Sequence, residues 1–301
     1  MKIGIIGGGS IGLLLAHYLK KHHQVCVYVR SKRQLDVLEA EGLIFEKDKN
    51  CIKEAINVSL FSKWNGEEEL TILAVKQYQL PPILEKMAAS NTNVGGSLLF
   101  LQNGMGHLKW LEGVNAKNIF VGTVEHGANK VAVNHVIHTG EGLIKLALYR
   151  GDNLTILTDM VKIPVENFPF IFEEDYQEML LNKLIVNAVI NPLTAALNVN
   201  NGMLLENPHY YYIFKEIFNE ISSVLSIVDK ENTFYYVENI CRKTSLNRSS
   251  MLKDLDENRP TEIDAILGYV IEKAREGQMN APFSESFYHL IKGKEYGEGR
   301  K

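Results

Sequence analysis

The 301-residue chain reads as an α/β half followed by an all-helical half. Three observations predict this. Residues 3–30 set two apolar runs around a glycine-rich turn and an apolar helical stretch. Apolar runs and helical patterns then alternate up to about residue 150. Beyond about residue 170, long helical periodicity replaces them. Strands alternating with helices imply a parallel sheet covered on both faces. The expected division is residues 1–168 and 169–301, with Ile163–Glu174, containing Pro164 and Pro169, as linker.

The first strand, Lys2–Ile6, runs into Gly7, Gly8, Gly9, Ser10, Ile11 and Gly12. Gly7, Gly9 and Gly12 have the spacing G-x-G-x-x-G, and a helix over Ile11–Lys21 and a strand over Gln24–Val29 follow. A strand–turn–helix setting gives this spacing its meaning. The first glycine permits the turn, the second lets backbone approach a pyrophosphate, and the third lets helix pack on strand. The free N–H groups of the helix start attract phosphate. This half is therefore expected to be a Rossmann-type dinucleotide-binding domain. Gly8, Ser10 and Gly12 also fit G-x-S-x-G, a hydrolase elbow. Too few residues precede Gly8 to supply that elbow's oxyanion hole.

The strand over Gln24–Val29 ends at Arg30, followed by Lys32 and Arg33, with no acid before Asp36. An acid there would read the ribose hydroxyls of NAD, whereas an arginine accommodates the extra phosphate of NADP. NADP(H) is the expected cofactor.

Further strands are expected over Leu70–Ala74, Ser97–Leu101 and Asn118–Val121, with helices over Arg33–Glu41, Leu80–Ala89 and His107–Leu111. Runs over Gly122–Glu125, Val133–His138 and Leu143–Leu148 would extend or close the sheet. Lys76, Asn103 and the Glu125–Gly127 patch fall at carboxyl ends of strands, where open α/β sheets bind ligands. Lys76 fits an exposed strand end equally well, and Asn103-Gly104 fits a tight turn.

The helical half is expected over Tyr176–Leu197, His209–Val228, Tyr235–Lys243, Thr261–Arg275 and Ser284–Lys292, with a frayed tail over Gly293–Lys301. Within the first of these helices Lys183, Asn187 and Asn191 stand at i, i+4 and i+8 on one stripe. Apolar residues surround them, so the helix is buried and its polar stripe needs partners. A polar substrate and an interhelical network both qualify. Pro192 is expected to kink or interrupt the helix near Asn191. A lysine facing a nicotinamide can polarise a ketone oxygen and deliver its proton.

Composition narrows the classes. Apolar content of 46% and charged content of 23% match an ordinary globular protein. A formal net charge of −4 argues against nucleic acid. Three dispersed cysteines suggest a reducing compartment and neither a disulfide framework nor a zinc site. No metal is expected. His135 and His138 would point to opposite faces of one strand. No apolar run reaches spanning length, no cleavable leader is read, and the cytoplasm is expected. A homodimer is left open. The aromatic run Tyr210–Phe214 reads as packing.

The segments GGGSIG at Gly7–Gly12, QNGMG at Gln102–Gly106, NKLIVNAVINPLTAAL at Asn182–Leu197, NRSSML at Asn247–Leu252 and PTEID at Pro260–Asp264 together resemble the ketopantoate reductase family. They span nearly the whole chain in order. The resemblance implies a Rossmann domain followed by a helical domain similar to that of 6-phosphogluconate dehydrogenase. It implies NADPH-dependent reduction of 2-dehydropantoate, a small 2-keto acid, with Lys183 as general acid. Glu262 matches an acid that helps hold the cofactor and orient the lysine. Asn187, Asn191 and Ser250 match keto-acid ligands, with Asn247, Arg248 and Ser249 lining the pocket and Asn201 in a corresponding position. Asn103 matches a residue near nicotinamide and substrate, Arg30 and Lys76 match grips on the 2′-phosphate, and Gly127 matches a backbone cofactor contact. Thr261 with Asp264 fits a helix capping box equally well, and Ser249 and Ser250 fit caps. The rivals are a reductase of another branched 2-keto acid and a non-catalytic NADPH sensor.

Overall fold

The computed structural model describes residues 1–89, 94–162 and 165–297. Residue contacts divide the chain into two compact units, Met1–Gln102 with Lys109–Met179, and Asn103–Leu108 with the chain from Leu180 onward.

The first unit contains strands β1 (Lys2–Ile6), β2 (Gln24–Val29), β3 (Leu43–Lys47), β4 (Asn50–Glu54), β5 (Asn57–Leu60), β6 (Leu70–Leu73), β7 (Val94–Phe100), β8 (Ala116–Val124), β9 (Gly127–Ala132), β10 (His135–Gly140), β11 (Ile144–Arg150) and β12 (Phe170–Phe172). Its helices are α1 (Ser10–Leu19), α2 (Lys32–Glu41), α3 (Leu80–Ala89), α4 (Leu108–Leu111) and α5 (Thr155–Lys162). Eight strands form one sheet in the order β12-β11-β8-β7-β6-β1-β2-β5. From β8 to β5 every pairing is parallel, and β11 joins β8 antiparallel. β1 lies between β2 and β6, so the turn after β1 opens at the sheet's topological switch point.

Burial explains why these segments are strands. Ile3, Ile5, Leu70, Ile72, Leu98, Leu99 and Phe120 are all at most 1% exposed. Strands covered on both faces read as continuous apolar runs, which is what parallel sheets require. In β2 only Val25, Val27 and Val29 are buried, and Cys26 is half-exposed.

Two expectations change here. Val133–His138 does not extend the main sheet. It belongs to a second, four-stranded sheet in the order β4-β3-β10-β9. The Ile163–Glu174 linker contains β12, which pairs with β11 in parallel, so the expected border at 168/169 falls inside the first unit. Ile163 and Pro164 lie outside the described residues.

The second unit carries most of α6 (Tyr176–Leu197), then α7 (Met203–Glu206), α8 (Pro208–Val224), α9 (Lys230–Lys243), α10 (Ser250–Asp256), α11 (Ile263–Glu276) and α12 (Pro282–Gly297). α6 runs through Pro192 without a break, which corrects the expected interruption. Proline forfeits the N–H that the carbonyl of Ala188 would receive. Buried neighbours from Leu184 to Ala195 hold the helix regardless. At 22 residues α6 is long and apolar enough to cross a membrane, yet 72% of its apolar window is buried inside the protein, as in a core helix. The expected fraying from Gly293 is corrected too, since α12 continues to Gly297. Residues 298–301 lie outside the described residues. In the aromatic run Phe214 is fully buried and Tyr212 is 60% exposed.

Candidate functional site

In the first unit the glycine turn has the shape a dinucleotide needs. Gly7 takes φ +118°, and a Cβ there would stand 2.8 Å from the carbonyl oxygen of Ala74. A Cβ on Gly12 would stand 1.8 Å from the carbonyl oxygen of Gly7, so only glycine lets α1 pack this closely. A Cβ on Gly9 would meet nothing within 4 Å, which leaves the backbone open to an approaching group. Gly9 caps α1 with no side-chain bond, and no acid stands in the first turn. The N–H groups that begin the helix thus suit an anion. These residues fit a dinucleotide pyrophosphate.

Neighbours far along the chain brace the turn. Gln34 donates to the carbonyls of Gly8 at 2.8 Å and Val133 at 2.7 Å. Lys130 donates from Nζ to Gly8 at 3.2 Å and from its backbone to Ser10 Oγ at 3.2 Å. Sequence reasoning missed both, and separations of 26 and 122 residues leave no local signal.

Arg30 is exposed after β2, and Lys76 is half-buried after β6. They follow the two strands that flank β1, on either side of the turn. The Lys76 backbone donates to Gln79 Oε1 at 3.3 Å. Gly127 opens β9, where a Cβ would stand 2.7 Å from Thr139 Oγ1. Beside it, His126 Nδ1 lies 3.2 Å from His138 Nε2, and His138 Nδ1 lies 2.8 Å from the Tyr18 hydroxyl. Burial, then His138, pulls His126 down to about 4.

In the second unit α6 presents its stripe. Asn187 and Asn191 are buried at 8% and 7%, and Lys183 is half-buried. Asn191 Nδ2 donates to Ser250 Oγ at 3.4 Å, which brings the stripe to the start of α10. Thr194, one turn on, donates to Ser249 Oγ at 2.8 Å. Ser249 also accepts from the Leu252 N–H at 3.2 Å. Ser249 is therefore the cap of α10, and the exposed Ser250 has the hydroxyl beside the stripe. Thr194 was missed, although i+3 from Asn191 places it on the same face.

Asn103 joins the second unit. Its Nδ2 donates to Glu262 Oε2 at 2.8 Å. Gly104 takes φ +76°, and a Cβ there would stand 2.0 Å from the carbonyl oxygen of Ala265. The Asn103-Gly104 turn is thus a close approach to α11. Glu262 caps α11 without a side-chain bond. Asp264 accepts from Tyr288 at 2.7 Å and Lys292 at 3.1 Å, so it closes no capping box with Thr261, whose Oγ1 accepts from the Ile263 N–H at 3.2 Å.

Three further sequence-expected pocket residues, Arg248, Asn201 and Asn247, also bond within the protein. Arg248 forks onto Asp256 at 2.7 and 2.8 Å and donates to Asn198 at 2.9 Å. Asn201 donates to Thr244 at 2.8 Å, and its buried Oδ1 has no partner. Asn247 is exposed, and its carbonyl accepts from the Asn201 N–H at 3.0 Å.

Comparison with known proteins follows this geometry. The family model described as Ketopantoate reductase PanE/ApbA matches residues 3–151, and Ketopantoate reductase PanE/ApbA C terminal matches residues 175–295. The chain is 39% identical over 299 residues to the 2-dehydropantoate 2-reductase of Bacillus subtilis (strain 168), covering 98% of each. It is 38% identical to the 2-dehydropantoate 2-reductase of Listeria monocytogenes serovar 1/2a, covering 98% of this chain and 97% of that one. The crystal structure of a probable 2-dehydropantoate 2-reductase from Bacillus subtilis matches with a TM-score of 0.88 at 38% identity, covering 98% and 100%. D-mandelate dehydrogenase, solved with NADH and anilino(oxo)acetate, matches with a TM-score of 0.89, covering 98% and 99%. At 23% identity that likeness speaks of fold alone.

Proposed function

This chain belongs to the ketopantoate reductase family, and from that premise we propose that it reduces 2-dehydropantoate to (R)-pantoate with NADPH, feeding pantothenate biosynthesis. The observation that carries the reading is the Lys183–Asn187–Asn191 stripe with Ser250 at its end, in a chain that also has the glycine turn.

When bound, the reduced nicotinamide supplies the hydride that adds to the keto carbon. Lys183 polarises the keto oxygen through its ammonium group, and as the oxygen becomes an alkoxide Lys183 gives it a proton. That interaction strengthens as charge develops, which is the condition for lowering a barrier. Asn187 and Asn191 donate amide hydrogens to the substrate, and Ser250 donates to its carboxylate. Glu262, held by Asn103 at 2.8 Å, orients the lysine and contacts the cofactor. Arg30 and Lys76 grip the 2′-phosphate as a charge-assisted pair. The α1 N-terminus and the Gly7–Gly12 backbone hold the pyrophosphate.

The test follows NADPH oxidation with 2-dehydropantoate against 2-oxoisovalerate. Turnover confined to 2-dehydropantoate supports the reading. Equal or better turnover of 2-oxoisovalerate moves the substrate to another branched keto acid. NADPH binding with no turnover on either means a sensor.

A cytoplasmic site and a homodimer belong to the same proposal. A dimeric ketopantoate reductase from Staphylococcus aureus shares the fold at 20% identity. Light scattering should return twice the 34.0 kDa chain mass, and a monomer at working concentration would remove the dimer.

A further inference from the structure

We propose that Glu46, Cys51 and His135 form a binding site for a borderline-soft divalent metal ion such as Zn2+, on the second sheet of the first unit. The three residues come from three strands. Glu46 on β3 pairs directly with Cys51 on β4. His135 on β10 pairs with Ile44, two residues before Glu46, so it shares their face of the sheet. His138 lies on the opposite face, buried at 4%.

Their donor atoms converge. Glu46 Oε2 is 3.0 Å from His135 Nε2 and 3.6 Å from Cys51 Sγ, and all three donor atoms lie within 4.8 Å of one another. Around a tetrahedral zinc with bonds of about 2.0–2.3 Å, neighbouring ligand atoms stand roughly 3.3–3.5 Å apart. Two of the three edges are therefore within a few tenths of an ångström of a coordinated set. One thiol, one imidazole and one carboxylate suit zinc, and three protein ligands leave a fourth position for water.

The site is reachable yet not loose. Cys51 is exposed, while the Glu46 and His135 side chains retain 24% and 21% of their accessibility. Cys51 belongs to the edge strand β4, four of whose five residues are exposed. A bound ion would clamp this thinly buried edge to β3 and β10. Metal binding displaces the thiol proton and replaces a weak thiol–carboxylate contact with coordination.

The site was not legible in the sequence because its ligands span residues 46 to 135, with none of the short spacings of zinc motifs. It is independent of the reductase reading.

The test uses the full-length protein stripped with chelator, titrated with Co2+ by absorbance and with Zn2+ by calorimetry. One equivalent of Co2+ should raise a thiolate-to-cobalt charge-transfer band, absent in Cys51→Ser. Losing an outer-shell partner costs about 10–100-fold in metal affinity, so His135→Ala and Glu46→Gln should each weaken Zn2+ by at least about tenfold. Zn2+ should raise the Tm of the unaltered protein and not of Cys51→Ser, since a ligand stabilises only the state it binds. Cys51→Ser is an exposed substitution, expected to leave folding and NADPH turnover unchanged. A missing charge-transfer band, a band that survives in Cys51→Ser, or equal Zn2+ affinity in all variants would overturn the site and leave a hydrogen-bonded trio.

Discussion

Arg30 closes β2 on an exposed cation where an NAD enzyme would hold an acid. Charge-assisted bonds contribute about 1.5–3 kcal/mol each, so Arg30→Ala should weaken NADPH roughly tenfold or more. NADH lacks the 2′-phosphate and should bind as before. Fluorescence titration of both reduced cofactors measures this, and equal losses for the two would remove Arg30 from phosphate recognition. At this scale the sequence was readable where placement follows helical spacing. Lys183, Asn187 and Asn191 fall on one stripe because 3.6 residues make a turn. It was unreadable where partners are remote. The pairing of Asn103 with Glu262 spans 159 residues. The ion pair of Arg248 with Asp256 depends on how α10 leaves the loop before it, which no local spacing announces.

Among the elements, the turn Asn103-Gly104 makes the sharpest demand. A Cβ at residue 104 would meet the Ala265 backbone at 2.0 Å with φ at +76°, and neither clash is relieved by turning a side chain. Overpacking costs about 1–3 kcal/mol, and the φ adds strain. Gly104→Ala should therefore lower Tm by roughly 6 °C or more and release Asn103 from Glu262. An unchanged melting curve would show that the turn can re-form. The main sheet was legible because its strands are buried on both faces and read as apolar runs. The β3–β4 hairpin was not. Its second strand, β4, is exposed at four of five positions, and its turn has Asp48 and Lys49 at φ 50° and 66° without the Asn-Gly signal such turns usually carry. Pro192 shows the opposite error. A local breaker was outweighed by burial of nearly every neighbour, since packing overrides propensity.

For the whole molecule, acid should act through buried histidines. His107 is buried with both ring nitrogens unpartnered, and burial pulls it down to about 4. His126 is pulled down similarly. An unfolded histidine titrates near 6.5, so between about 6.5 and 4 the unfolded chain binds more protons. Stability is then full above 6.5 and falls as pH drops through this window. His107→Leu cannot take up that proton and should flatten the decline in Tm from pH 7 to pH 4. A decline as steep as before would assign it to other groups. The two-unit organisation was legible from the switch in periodicity near residue 170. The exact border was not, because β12 is three residues long and gives too short a pattern.

The most direct test of the chemistry is Lys183→Ala, assayed for NADPH oxidation by 2-dehydropantoate and, in parallel, for NADPH affinity. General-acid catalysis contributes about 10²–10⁴-fold, so turnover should fall by at least about a hundredfold while NADPH affinity stays within about twofold of the unaltered protein. Turnover undiminished in Lys183→Ala would contradict the account and move the proton donor to another residue.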